Sequence, residues 1–209
     1  LGRANPSGKL AETWPVRLAD TPCAERFPEK GRQACYRESV YTGYRYYDAA
    51  GADVAYPFGH GLSYTEFSYR DLQVEEADDG FFVSCLVRND GACAGREAVQ
   101  LYVAPLEPGA FRPPQELKGF AKAALAPGEE RRVSLPLPRR AFAHYDADAH
   151  AWDVEAGAYE VRIAASSRDV RLSARVEVAG SPRREDGAPE AYHRVRPGGV
   201  SDEAFRKLY

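Results

Sequence analysis

The 209 residues carry 28 Lys plus Arg against 31 Asp plus Glu, a formal charge of −3, which offers no basic footprint for nucleic acid or an anionic membrane surface. No run approaches the roughly 18 apolar residues of a membrane span, and the N-terminus shows no charged-then-apolar leader. The length suits one core of ordinary domain size plus a partial one, on a prior of roughly 100–200 residues per domain, and a chain that starts at Leu1 without any methionine reads as an excised piece of a longer protein.

Residues 1–35 hold Pro6, Gly8, Pro15, Pro22, Pro28 and Gly31, too many breakers for a long helix, so short strand or turn pieces joined by loops are expected. Such a stretch cannot bury a core alone, and residues 1–64 are expected to order only against a partner domain. Tyr41 to Phe67 follows as an aromatic seam. Tyr41, Tyr44, Tyr46, Tyr47, Tyr56, Phe58, Tyr64 and Phe67 alternate with Gly43, Gly51, Gly59 and Gly61, which places rigid rings beside points where the backbone can turn sharply. Rings buried on both sides are expected there. Glu38 and Arg45 read as charges that satisfy one another or the backbone, and His60, flanked by glycines and without a carboxylate at fixed spacing, reads as a turn residue.

From Glu66 the apolar period changes to two. Phe81, Val83, Cys85 and Val87 share one face; Val99, Leu101 and Val103 the next; Val133, Leu135 and Leu137 another; then Tyr159, Val161, Ile163 and Ala165, and Val170, Leu172, Ala174, Val176 and Val178. Turn residues stand between them at Asn89-Asp90-Gly91, Pro127-Gly128 and Ala156-Gly157. Short strands that are apolar on one face must close on each other, so the fold class is mainly β, an immunoglobulin-like sandwich of about seven strands. Within it, Ala104–Pro114 is expected to be a surface loop covering a sheet edge, with Phe111 exposed beside Arg112, and Trp152 is expected to be buried by its strand. Asp146 and Asp148, with His144 and His150, leave both a metal cluster and a hydrated loop open. After Gly180 the text is polar and rich in breakers, a linker, before Ser201 opens an apolar-spaced segment as an N-cap.

The cysteines add little. Cys23, Cys35, Cys85 and Cys93 show no CxxC pair and no histidine at ligand spacing, which argues against zinc. Cys85 sits on an apolar strand face; a Cys23–Cys35 bridge stays open, with plain thiols of a cytoplasmic protein favoured.

Three ordered motifs carry a family resemblance: Asn5-Pro6-Ser7-Gly8-Lys9-Leu10-Ala11-Glu12-Thr13-Trp14-Pro15, Tyr36 to Asp48 (YRESVYTGYRYYD), and Tyr56 to Thr65 (YPFGHGLSYT). Together they resemble the closing motifs of glycoside hydrolase family 3, the β-glucosidase family. Asn89-Asp90-Gly91, Val99–Val103, Glu116–Phe120 (ELKGF), Leu125–Gly128 and Ser166–Asp169 resemble the fibronectin type III-like domain appended to many of its members; Cys93 in the turn departs from the pattern.

The resemblance implies that residues 1–65 are the C-terminal end of an α/β sandwich domain, 66–180 the fibronectin type III-like domain, and 181–209 a linker with the start of a truncated helical extension. It implies retaining hydrolysis of β-glucosides or related sugars, by two carboxyl groups about 5–5.5 Å apart. In the family the nucleophilic aspartate belongs to an N-terminal barrel, and the acid/base glutamate usually lies upstream of the NPSGKL motif. Neither context occurs here. The expected catalytic, metal and cofactor assignments are therefore none, the substrate-binding residues are undetermined, and the chain alone is expected to be inactive. Its implied partners are the N-terminal catalytic domains of the same polypeptide and, through them, a small β-glucoside or oligosaccharide. No nucleophile elbow or phosphate-binding loop supplies another chemistry. A different class stays in view: a non-catalytic module docking glycan or protein through exposed aromatics.

Overall fold

Strict alternation of apolar and polar side chains along the second half of the chain produces long strands whose apolar faces have to meet. The computed structural model describes residues 2–24, 38–107, 109, 112–146 and 149–183. In chain order the elements are β1 (Trp14–Pro15), α1 (Tyr44–Ala50), β2 (Val54–Tyr56), β3 (Phe67–Ala77), β4 (Gly80–Asn89), β5 (Gly95–Pro105), β6 (Glu116–Leu125), β7 (Glu130–Pro138), β8 (His144–Asp146), β9 (Ala151–Asp153), β10 (Gly157–Ser166) and β11 (Asp169–Val178). Single 3-10 turns occur at Leu18–Asp20 and Arg139–Phe142.

Seven of these strands form the sandwich. One antiparallel sheet runs β11-β10-β5-β6 and the other β3-β4-β7, while β1-β2 and β8-β9 are two-stranded ribbons. Between the sheets lie Val83, Cys85, Val87, Val99, Leu101, Val103, Val133, Leu135, Leu137, Tyr159, Val161, Ile163, Val176 and Val178, in agreement with the alternation. Val170 departs from its expected face and is exposed, next to register irregularities in the β10–β11 pair.

Two sandwich strands hide their period. In β3 the inward residues are Phe67 and Tyr69, then Leu72 and Val74; the parity changes at Asp71, which has φ 54° and sits in a register irregularity between Arg70 and Gln73. An extra residue in one strand moves every later side chain to the other face. In β6 the inward side carries Gly119, Ala121, Ala123 and Leu125, whereas Phe120 faces solvent, so its bulk pattern points the wrong way.

The turn at Asn89 is a structural knot. Asn89 is fully buried; its amide donates to Cys93 O at 2.8 Å and Leu125 O at 3.1 Å, and its Oδ1 accepts from Gly91 N at 3.1 Å and from the Thr65 hydroxyl. Its own carbonyl accepts from Gly128 N at 2.9 Å, so one side chain and its backbone tie together the ends of β3, β4, β5, β6 and β7.

Two sequence expectations are corrected here, and one element enters that the sequence reading did not assign. Trp152 is 56% exposed and packs edge-on at 5.6 Å against Tyr145, itself 52% exposed, because the β8-β9 ribbon stands outside the sandwich. Arg112 is buried in place of lining a surface loop, while Phe111 lies outside the described residues. Tyr44–Ala50 is a helix that residue type concealed: three tyrosines in seven residues favour strand, yet Gly51 at φ 59° closes the last turn through its N–H to Asp48 O and Tyr47 O. Residues 25–37, Cys35 among them, lie outside the described residues, as do Asp148 and Ser201 with its neighbours from 184 onward.

The alternation makes a direct stability test. Leu101→Ala, fully buried between the sheets, is expected to cost about 2–5 kcal/mol, whereas Phe82→Ala on the solvent face of β4 should stay within roughly 0.5 kcal/mol. Urea unfolding of the two variants, read at constant slope, checks both.

Candidate functional site

Strand β5 is buried on both faces from Val99 to Ala104. Val99, Leu101 and Val103 face the opposing sheet, and Gln100, Tyr102 and Ala104 are buried as well, because residues of the aromatic seam lie over the outside of the β11-β10-β5-β6 sheet. Tyr44 of α1 stacks on Phe58 at 4.7 Å between centroids and meets Tyr102 edge-on at 6.1 Å. The Tyr44 hydroxyl accepts from Leu117 N at 2.8 Å. Burial in this layer raises the phenol pKa of Tyr44 and Tyr102 above the ordinary value.

Gln100 holds the layer down. Its Nε2 donates to Gly59 O at 3.1 Å and Ala165 O at 2.7 Å, and its Oε1 accepts from the Tyr102 hydroxyl at 2.7 Å. Ser167 N donates to Phe58 O at 2.9 Å. Gly59 is required on two counts: φ is +80°, and a Cβ there would lie 2.1 Å from Gln100 Oε1. Gly61 is equally constrained, since a Cβ would stand 2.4 Å from Gly8 O.

That second glycine admits the N-terminal segment. Leu10 N donates to His60 O and Gly59 N to Leu10 O, both at 2.8 Å. Asn5 donates to Ala94 O at 2.9 Å and accepts from Ser63 Oγ at 3.0 Å and Tyr64 N at 2.9 Å; Lys122 Nζ reaches Ser7 O at 2.7 Å. Lys9 then enters the mouth of the sandwich and pairs with the buried Glu97 at 3.1 Å, whose Oε1 also accepts from Tyr69 Oη at 2.8 Å. Burial, and then the Glu97 charge, push the Tyr69 phenol far up. A second clamp fixes α1: Asp48 accepts from Arg168 Nε and from Gln115 Nε2, each at 3.0 Å, and Gln115 also donates to Ser167 O at 2.7 Å.

Beside the Lys9–Glu97 pair lies an open cleft of about 520 Å³ lined by His60, Ser63, Ser166, Arg168, Asp169 and Arg171 among others. Most of its charges are paired. Arg171 pairs with Asp169 at 2.7 Å, and Arg168 and Glu97 are held as above. His60 tilts on the Tyr56 ring at 5.1 Å. Among the described residues no group of three or more His, Cys, Asp or Glu could hold a metal ion, and Asp146 Oδ1 accepts Ala149 N at 3.0 Å as a turn residue. The arrangement is built to join segments: the Glu97 and Asp48 carboxylates each pair with a cation from a distant part of the chain.

Comparison with known proteins shows which assembly these joints belong to. A fibronectin type III-like domain profile matches residues 97–167. The thermostable beta-glucosidase B of Acetivibrio thermocellus is 46% identical over 182 residues, covering 85% of this chain and 24% of its own length. The crystal structure of the Bifidobacterium adolescentis GH3 beta-glucosidase matches with a TM-score of 0.82 at 40% identity, covering 86% of this chain and 27% of that one. This chain is similar to the C-terminal part of glycoside hydrolase family 3 beta-glucosidases. The exo-alpha-(1->6)-L-arabinopyranosidase of Bifidobacterium longum is 39% identical over 181 residues, covering 86% of this chain and 24% of its own length. The chain thus spans about a quarter of the length of these relatives and matches their C-terminal portion.

The family 3 motifs acquire structural roles on this basis. NPSGKL is a strap, PFGHG is the glycine-lined slot that receives it, and SSRD supplies Ser167 and Arg168 to the Phe58 and Asp48 joints. The seam is only partly as expected: Tyr41, Tyr46 and Tyr47 are buried, but Tyr64 is 64% exposed and Tyr56 also reaches solvent. Arg45 pairs with Glu116 at 3.4 Å, a partner outside the two choices the sequence suggested. Lys9, Glu97, Gln100 and Gln115 were not singled out by pattern. The one sign of Glu97 and Gln100 is polarity inside an apolar run, EAVQLYV, which a strand buried on both faces admits only where partners wait.

Asn5, Lys9 and the seam bond directly to the sandwich, and Thr13 bonds to Phe58 of the seam, so these segments draw on the sandwich as well as on any partner domain. Lys9→Met should leave the Glu97 carboxylate buried and unpaired at a cost of roughly 3–5 kcal/mol. Lys9→Met with Glu97→Gln should recover most of that loss. Denaturant unfolding, together with the rate of proteolytic cleavage between residues 2 and 15, reads both variants.

Proposed function

We propose that this chain is the bracing part of a retaining β-glycosidase acting on β-glucosides or related sugars, and that the reacting carboxylates come from the remainder of a longer polypeptide. The observation that carries the reading is the match to a quarter of the beta-glucosidases, within which the shared motifs are spent on joints. Glycoside hydrolysis needs one carboxyl group able to give up a proton and a second one about 5–5.5 Å away. Here Glu97, Asp48 and Glu116 are each tied to cations from other parts of the chain, so their side chains are committed to joints between segments. On this reading residues 1–65 close the preceding α/β domain, 66–180 are the fibronectin type III-like brace and 181–209 a linker with a helical extension. The sugar is set elsewhere in the polypeptide, in keeping with the likeness of this region both to a beta-glucosidase and to a protein named for an arabinopyranosidase activity.

A second reading has one observation in its favour: Trp152 and Tyr145 are exposed on the β8-β9 ribbon, as rings of a glycan-binding platform would be. Their edge-on packing and the Arg140 guanidinium 4.6 Å from the Trp152 ring centroid leave little coplanar surface, so bracing is the better fit.

The 209-residue chain, freed of host glycosidases, is expected to show no hydrolysis of an aryl β-glucoside. Deleting residues 66–180 from the complete polypeptide should lower both its melting temperature and its activity on the same small substrate, since misplacement by about 1 Å costs roughly 10²-fold in rate. Full activity at an unchanged melting temperature, with loss only of attachment to polymeric glycans, would establish the binding-module reading instead.

A further inference from the structure

Where α1, the residues entering β6 and the start of β6 converge, three cations surround one carboxylate. Glu116 lies 3.4 Å from Arg45 Nη2, 3.6 Å from Arg112 Nη2 and 3.1 Å from Lys118 Nζ. The cluster is largely withdrawn from solvent: the Arg112 side chain is 2% exposed, Glu116 and Lys118 are partly buried, and Arg45, at 34%, is the most open. Among the described residues, three positive charges meet one negative and leave an excess in partly desolvated surroundings, where like charges repel strongly and a further anion would be held tightly. The cationic crowding is visible on Lys118, whose pKa is lowered by burial and also by Arg112 and Arg45, against the opposing pull of Glu116.

The hydrogen-bond inventory shows the same imbalance. Arg112 Nη1 donates to Phe142 O at 3.0 Å, and its guanidinium carbon stands 5.6 Å from the Tyr159 ring centroid. Yet Arg112 Nε and Arg45 Nε are both buried and lack a hydrogen-bond partner among the described residues. A buried N–H on a charged group without an acceptor is costly, and guanidinium forks match carboxylate oxygens in spacing and plane.

We propose that the Arg45–Arg112–Lys118 cluster is a binding site for a second carboxylate, entering on the Arg45 side and accepting from the unpartnered Nε–H groups. That carboxylate is either an Asp or Glu side chain of the remaining polypeptide or a free carboxylate such as acetate or a sugar acid. The site lies apart from the cleft at Lys9 and Glu97 and needs no reacting group, so it stands or falls separately from the bracing function.

The test reads the arginine Nε–H signals by 15N NMR on the 209-residue chain during titration with sodium acetate against sodium chloride at constant ionic strength. Saturable shifts at Arg45 and Arg112 with acetate only are expected, and binding weakened by about tenfold or more in Lys118→Gln and in Arg45→Gln, the loss of one charge-assisted hydrogen bond. Neither variant removes the fully buried Arg112, and the unchanged dispersion of the remaining amide signals confirms that each is folded. In the complete polypeptide, a carbodiimide cross-link from Lys118 to a residue outside these 209, beyond the cross-link expected to Glu116, identifies a side-chain occupant. Acetate binding that persists there without such a cross-link identifies a free ligand. Shifts that never saturate, or that chloride reproduces, together with no new cross-link, overturn the proposal.

Discussion

A single buried amide decides how the rest of the chain is laid on the sandwich. Gln100 stands in the middle of β5, in the stretch from Val99 to Ala104 that is buried on both faces, and a primary amide there is tolerated only if its donors and acceptor are met. It meets them with Gly59 O, Ala165 O and the Tyr102 hydroxyl, which come from the seam, the neighbouring strand and its own strand. The seam must therefore approach the sheet closely enough to hydrogen-bond, and only glycine at position 59 permits that approach. Once Gly59 is fixed, Phe58 lies against Tyr44, Gly61 is placed to admit Gly8, and the strap from Asn5 to Leu10 follows.

The ionic contacts do not contribute equally. Arg175–Glu177 and Arg131–Glu129 lie on the surface with both partners well exposed, where screening and side-chain entropy leave roughly 0–1 kcal/mol. Lys9–Glu97 and Arg168–Asp48 have their acids at 6% and 10% exposure. Such pairs add little over an apolar substitute, yet losing one partner is expensive, so they act as registers more than as sources of stability. Their geometry fits this role. Lys9 fixes how far the strap slides along the sandwich mouth, and Asp48 fixes the rotation of α1 through two donors from different connections, Arg168 between β10 and β11 and Gln115 just before β6.

Much of the sandwich was legible because alternation survives wherever both the strand and its partner are regular, as in β4, β5, β7 and β10. It failed in β3, where Asp71 inserts a bulge, and in β6, where Gly119 and alanines face the core and Phe120 faces water. Long-range polar contacts leave no periodic trace at all. Lys9 and Glu97 are 88 residues apart, and Asp48 and Arg168 are 120 apart; nothing local announces either pair. The family motifs marked the right segments without revealing their task, and Trp152 was misjudged because a strand-like pattern does not say whether its ribbon joins a sheet or stands beside it.

This distribution of contacts bears on whether the sandwich is a tethered module or a structural brace. A tether leaves its domain by an exposed, polar, breaker-rich stretch crossed by few contacts. Residues 41–65 do the opposite: they form a lid whose rings and carbonyls complete the outer face of the β11-β10-β5-β6 sheet, so that Tyr102, Gln100 and Ser167 would be exposed without it. The same segment carries on its other side the exposed edge of β2, with Tyr56 packed edge-on at 6.0 Å against Trp14 of β1 and both rings partly open to solvent. A lid bonded to the sandwich beneath, with aromatic surface above, has no hinge between the two. Under the proposed bracing role, a displacement of the sandwich would be passed through this lid to the Trp14–Tyr56 surface.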